Sequence, residues 1–295
     1  MKKRALMALH LFIIPAVFYL FPMDWPSPQG IITRNFGWND RGLPHLGISF
    51  SSEGSIGAAE DGELLFRCTE GYGASRLPSP LGSWIALDHG DGIISIYARF
   101  SGGRLEDANN EAANNNLRKG SILGASGMSG WSSGGGFYFQ LFDRKERRWI
   151  NPSMIITPSE DSRPPVILSV RLKNEKGDTI DPSQTRAVNQ GRYFVYVDAM
   201  DTMRQPNENP LAPYRIICSI NGSETGVLNF ETYSARDGTL MVYRNGLVRV
   251  KQVYAPFPAY EVADVWLSRG QTTLEIIAQD IAGNVRNIVY RLMVE

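Results

Sequence analysis

Histidine is the side chain most often used to hold zinc or to carry a proton near neutral pH. The chain has three, His10, His45 and His89. His10 lies in an apolar N-terminal run, so two remain for the rest of the chain. A catalytic zinc takes three protein ligands and leaves one position for water, so two histidines alone do not complete such a site. His89 stands in Asp88-His89-Gly90 and reads as a polar turn residue. Ser126, Ser129, Ser132 and Ser133 share a glycine-rich stretch, but no His–Asp pair accompanies them to activate a serine. Gly134-Gly135-Gly136 is not followed by the Gly-Lys-Ser/Thr of a phosphate loop. Asp88, Asp91 and Asp143 could be a glycosidase's carboxylates, although turn positions explain them better. Cys68 and Cys218 lack any Cys-x-x-Cys context. They read as two separate buried thiols, with an interdomain disulfide as the alternative.

The elements that must position these residues are strands. Between residues 30 and 156, short apolar runs alternate with glycine, aspartate and asparagine turns. The runs at 63–66, 84–87, 93–97, 121–124 and 137–141 are β-branched or aromatic, as strands are. Residues 107–116, rich in Asn and Ala, read as a loop with at most one helical turn. The proline-rich segment 158–165 then forms a stiff linker. Further strands are expected at 166–172, 193–197, 214–220, 240–243, 248–253 and 273–278. A final hairpin turns at Ala282-Gly283-Asn284. About seven short strands in this half suggest a β-sandwich. The pattern predicts an all-β protein with two independently folded units: 23–157, and 166–295 beyond the 158–165 linker.

Composition narrows the function classes. Lys plus Arg and Asp plus Glu are both 30, so no basic excess exists to neutralise phosphates, and nucleic acid is not an expected partner. A hydrophobic share of 43% supports packed cores. Lys2, Lys3 and Arg4 precede an apolar run from Ala5 to Phe21. A charged start followed by an apolar stretch is the pattern of an export signal. No Ala-x-Ala site follows, so residues 1–22 read either as a signal peptide or as an uncleaved inner-membrane anchor. Both readings place the rest of the chain in the periplasm or on the extracytoplasmic face.

Four ordered segments carry a resemblance. The first is Ile31-Ile-Thr-Arg-Asn-Phe-Gly-Trp38 followed by Pro44-His45-Leu46-Gly47-Ile48-Ser49-Phe50, and the second is Gly57-Ala58-Ala59-Glu60-Asp61-Gly62-Glu63-Leu64. The third is Trp84-Ile85-Ala86-Leu87-Asp88-His89-Gly90-Asp91-Gly92 with Tyr97-Ala98-Arg99-Phe100-Ser101. The fourth runs from Lys119-Gly120-Ser121-Ile122-Leu123-Gly124 through Gly127 and Gly130 to Gly134-Gly135-Gly136-Phe137-Tyr138-Phe139-Gln140, and Asn151-Pro152 closes the series. Together they resemble the LytM/lysostaphin family of zinc endopeptidases of peptidoglycan. The resemblance implies a duplicated hybrid motif β domain with a groove across one sheet. The tail hairpin is similar to the last two strands of bacterial immunoglobulin-like domains, which implies an immunoglobulin-like β-sandwich after it.

The family binds zinc with the His and Asp of H-x-G-x-D and the second His of H-x-H. Here those positions are His45, Ser49 and Tyr138. Gly136 takes the first H-x-H position, and Arg99 takes the place of the histidine in the family's Y-x-H. A serine hydroxyl lacks a carboxylate's charge, and a guanidinium cannot act as a base. The resemblance therefore implies a non-catalytic member with no zinc and no other cofactor. It would bind peptidoglycan, or regulate or scaffold a cell-wall hydrolase or another envelope protein. The rival reading is an active zinc endopeptidase with a rearranged metal site; a third is a purely structural protein whose groove binds nothing. The former active centre comprises His45, Ser49, Arg99, Gly136, Tyr138 and Gln140. Strand alternation puts Tyr138 and Gln140 on one face and Phe137 and Phe139 on the other. There Tyr138 is expected either to fill the vacated volume and hydrogen-bond to His45, or with Arg99 to hold a carboxylate-bearing wall peptide.

Overall fold

The computed structural model describes residues 23–51, 53–69, 79–101, 115–131, 134–156, 161–202 and 209–295. Residues 1–22, expected to be a signal peptide or anchor, and most of the Asn/Ala-rich 107–116 stretch lie outside them. The chain is all-β. The helical elements among the described residues are the turn Pro152–Met154 and the four-residue helix Val250–Val253. None is long and apolar enough to cross a membrane.

The strand that organises the first half is Phe137–Asp143, all but one of whose residues are buried. On one side it pairs antiparallel with Ile93–Ala98, which leads on to Trp84–Asp88 and Gly62–Cys68. On its other side two strands lie end to end. Ile48–Ser51 takes positions 137–139, and Arg148–Ile150 takes positions 141–143. The period of two predicted from the sequence holds along it. Phe137 stacks on Phe50 with ring centroids 4.6 Å apart, and Phe139 packs on Tyr97 at 5.2 Å, both within the core of this half. Tyr138 and Gln140 emerge on the opposite face, joined by a 2.7 Å hydrogen bond.

The second half consists of two sheets over a shared core. Ala259–Leu267, Gly191–Met200 and Val166–Asn174 form one. The other contains Ser223–Arg236, Arg215–Ile220, Gly270–Gln279 and the closing strand Val285–Val294. Alternate residues of Gly191–Met200 and of Gly270–Gln279 point inward. The last hairpin has the expected form, with Gly283 at φ +93°, a conformation open to glycine. One expectation is corrected. Residues 248–253 are not a single strand: Leu247–Arg249 gives way to the helical turn Val250–Val253. Val250 and Val253, three apart, bury on one side of that turn, and Gln252 caps its start by accepting from the Arg249 N–H.

The two halves meet in a continuous sheet and through side chains of each that enter the other's core. Arg148–Ile150 pairs with residues 234–232, so one sheet runs from the first half into the second. The core of the second half includes Phe36, and that of the first includes Leu211. Asn35 grips the Ala212 main chain twice, accepting from its N–H and donating to its carbonyl, both at 2.8 Å. Trp38 Nε1 donates to Pro210 O at 2.9 Å, and Asn151 Nδ2 donates to Phe230 O at 2.9 Å. The physical reason is burial. Phe36 of the Asn-Phe-Gly-Trp turn is 1% exposed and packs on Tyr233 within the second half's core, so its burial holds the halves together.

Candidate functional site

Three strands and two turns build the site. Ser49, Tyr138 and Ala98 are cross-strand neighbours in one row, so the Ser49 and Tyr138 side chains share a face. His45 lies in the turn before Ile48–Ser51, fixed by main-chain bonds from its N–H to Trp38 O and from Gly37 N–H to its carbonyl, each 2.8 Å. Arg99 follows Ile93–Ala98 with φ +69°, a left-handed conformation that turns the chain sharply as the strand ends, and its N–H is held by Leu81 O at 3.0 Å.

Their side chains meet at the buried Ser49 hydroxyl. Arg99 Nη1 donates to Oγ at 3.2 Å, and His45 Nε2 lies 3.0 Å from the same atom. With Arg99 filling an acceptor position, the hydroxyl hydrogen is free to point at Nε2, which places the imidazole proton on Nδ1; this tautomer is assigned from the network. Burial, then the charges of Arg99 and Arg34, lower the His45 pKa to about 3. The ring is therefore neutral at any physiological pH.

Tyr138 lies behind this group. The His45 ring meets its ring edge-on at a centroid separation of 5.2 Å, and the Arg99 guanidinium carbon lies 5.5 Å from its centroid. Its hydroxyl donates to Gln140 Oε1, not to His45, whose Nε2 is already engaged by Ser49. That corrects the expected His45–Tyr138 hydrogen bond. Burial raises the phenol's pKa, so it stays protonated. Tyr138 fits only because residue 47 is glycine: a Cβ there would lie 2.7 Å from the phenol ring and 2.4 Å from Phe139 O. Gly136 is similarly constrained. It has φ +141°, and a Cβ would sit 1.9 Å from Phe50 O. No histidine can occupy position 136 on this backbone.

Arg99 and Ser49 border an open groove of about 360 Å³, together with Arg34, Trp131 and Gly134–Gly136. Tyr138 and His45 do not line it. Arg34 and Trp131 escaped sequence reasoning. An exposed tryptophan inside a glycine run was the available signal for the second; Arg34 carried none.

These donors do not suit the zinc that members of the resembled family bind. Among the described residues His45 belongs to no group of three His, Cys, Asp or Glu side chains able to share an ion. A guanidinium bonded to Ser49 also places a positive charge where a dication would have to approach.

His89 is elsewhere. Its Nδ1 lies 2.7 Å from Asp61 O and its Nε2 lies 2.6 Å from Ser95 Oγ, so both ring nitrogens serve the turn. Cys68 and Cys218 are free thiols. A further gathering of acids, Asp161, Asp201 and Asp280, has carboxylate oxygens within 4.8 Å of one another at the junction of the halves. Burial and then Asp280 raise the Asp201 pKa to about 7.

A protein-family model matches residues 164–295. No curated protein matches the chain. Several solved structures are similar to it. The catalytic domain of the prophage-encoded M23 protein EnpA from Enterococcus faecalis is 20% identical over 44% of this chain and 95% of its own, with a TM-score of 0.32. The SpoIIQ–SpoIIIAH pore-forming complex gives 16% identity over 46% of this chain and 90% of the matched one, at 0.33. The antimicrobial peptidase lysostaphin from Staphylococcus simulans gives 16% over 72% and 82%, at 0.32. At such identities no residue role is carried over to this chain.

Proposed function

We propose that this chain is a non-catalytic, LytM-type protein of the cell envelope, which uses a former peptidase groove to bind peptidoglycan or to engage a cell-wall hydrolase. The four ordered sequence segments support the family. One observation carries the loss of catalysis: the hydroxyl standing at the family's carboxylate ligand position is held between a neutral imidazole and a guanidinium. Zinc hydrolysis needs a metal-bound water whose pKa the ion lowers to near 7. Here a fixed cation replaces the base, a phenol with a raised pKa replaces one histidine, and the backbone at Gly136 excludes the other. What remains is a cleft with positive charge and an aromatic wall, suited to binding. The charged, apolar N-terminal segment supports export, with the groove facing the wall.

Metal analysis of the purified full chain tests this, alongside incubation with peptidoglycan peptides and co-sedimentation with insoluble peptidoglycan. Far less than one zinc per chain, no cleavage, and retention on the wall polymer are expected. Stoichiometric zinc, with hydrolysis that a chelator removes and zinc restores, would establish the rival reading of a rearranged active site.

A further inference from the structure

We propose that the groove beside Ser49 is a carboxylate-binding site, in which the Arg99 and Arg34 guanidiniums hold the free carboxyl terminus of a peptide against Trp131. The proposal rests on the reading above, that this centre holds no zinc.

The charge balance points to an anion. Arg99 and Arg34 line the same groove, and each lies close enough to act electrostatically on His45. Among the described residues no carboxylate pairs with Arg99. Arg34 has only Asp40, 3.7 Å away and half exposed, and is also seated over the Trp38 ring at 4.7 Å. Of the donors on the Arg99 fork, Nη1 serves Ser49, while Nε is shut off from solvent with no acceptor. Two cations converging on one cleft with a single half-exposed acid beside them leave an excess positive charge that an anion would neutralise. His45 is neutral and offers no competing charge.

The shape points to a planar group at a chain end. A guanidinium fork matches the two oxygens of a carboxylate, an arrangement that favours this group over a single-point acceptor. Arg99 is pre-positioned by its left-handed backbone and by the bond it donates to Ser49, so little ordering remains on binding. Trp131 lines the cleft and is 75% exposed, so it offers an aromatic surface on which the last side chain of a peptide can pack. Open space surrounds the positions where Cβ atoms of residues 134 and 135 would lie, so that rim admits a chain.

Titration of the full chain with N-acetyl-dialanine and with its C-terminal amide, followed by calorimetry, tests the site. The acid is expected to bind at least tenfold more tightly than the amide. Arg99→Gln should erase that preference, whereas Trp131→Ala should weaken acid and amide alike. Because Arg99 supports Ser49, Arg34→Gln provides a second variant on a more exposed side chain; it should reduce the preference by several-fold with an unchanged melting temperature. Equal binding of acid and amide, no binding of either, or inorganic phosphate binding more tightly than the acid would each overturn the proposal. Zinc measured in the same sample separates the two failures. Zinc-free protein without acid preference removes the carboxylate site alone, whereas a zinc-loaded, hydrolytic protein removes the functional reading beneath it.

Discussion

The Tyr254 hydroxyl donates to the main-chain carbonyl of Gly37 across a 2.7 Å bond, joining residues 217 positions apart and closing the first half of the chain onto the core of the second. The same hydroxyl contacts that of Tyr233, and Phe36 packs on the Tyr233 ring at 5.1 Å. The segment that resembles the start of a peptidase domain thus doubles as a plug for its neighbour.

That plug predicts shared unfolding. Phe36→Ala should cost about 3–5 kcal/mol, the usual range for truncating a buried phenylalanine. Tyr254→Phe should cost about 1–3 kcal/mol, because it strands a buried carbonyl. Calorimetry of the full chain should show one transition, shifted as a whole by either change. Residues 166–295 expressed alone should melt well below the full chain; an isolated fragment as stable as the whole would show that the junction contributes nothing.

Restoring ligands one at a time should not restore a metal centre. Gly136→His forces a Cβ to within 1.9 Å of Phe50 O at φ +141°. We expect it to destabilise the protein or leave it insoluble. Ser49→Asp should instead pair with Arg99 and yield a folded, zinc-free protein. Metal analysis and thermal melts distinguish these outcomes.

His45 gives stability a pH dependence with a definite sign. Its pKa falls from 6.5 to about 3 on folding. Below pH 6.5 the unfolded chain takes up a proton that the folded chain refuses. Its contribution is therefore complete above 6.5 and is lost as pH falls towards 3, at up to about 1.4 kcal/mol per pH unit. His45→Gln should remove that slope, read as the urea midpoint between pH 4 and 6.5.

Asp201 works in the opposite direction. Its carboxyl moves from 3.8 to about 7 on folding. The folded state is favoured below 3.8, and this contribution disappears as pH rises through 7. Asp201→Asn keeps an acceptor for the Thr202 N–H and should raise the melting temperature at pH 8 more than at pH 5. No gain at pH 8 would mean that the carboxylate has a compensating partner there.

Much of the architecture could be read from local pattern. Alternation along 137–140 correctly assigned Phe137 and Phe139 to the core and paired Tyr138 with Gln140, because side chains along a strand repeat every second residue. The ordered segments brought His45, Ser49, Arg99 and Tyr138 into one neighbourhood. Sequence could not show which acceptor the Tyr138 hydroxyl would take, since that depends on Ser49 having already engaged His45. Nor could it show Phe36 entering the second core or Arg34 facing Arg99. Those contacts are decided by long-range packing, for which neighbouring residues carry no signal. The 248–253 run misled because an apolar stretch that short fits a strand and a helical turn equally well.

The pairing of residues 148–150 with 234–232 makes this contact between the halves a short splice of main-chain hydrogen bonds. Phe137–Asp143 shares that splice at one end and carries Tyr138 at the other. A pull or twist applied to the second half is therefore delivered along one stiff strand to the back of the Ser49 cluster. The splice thus works as a lever arm, with its fulcrum at residues 148–150 and its tip under Tyr138.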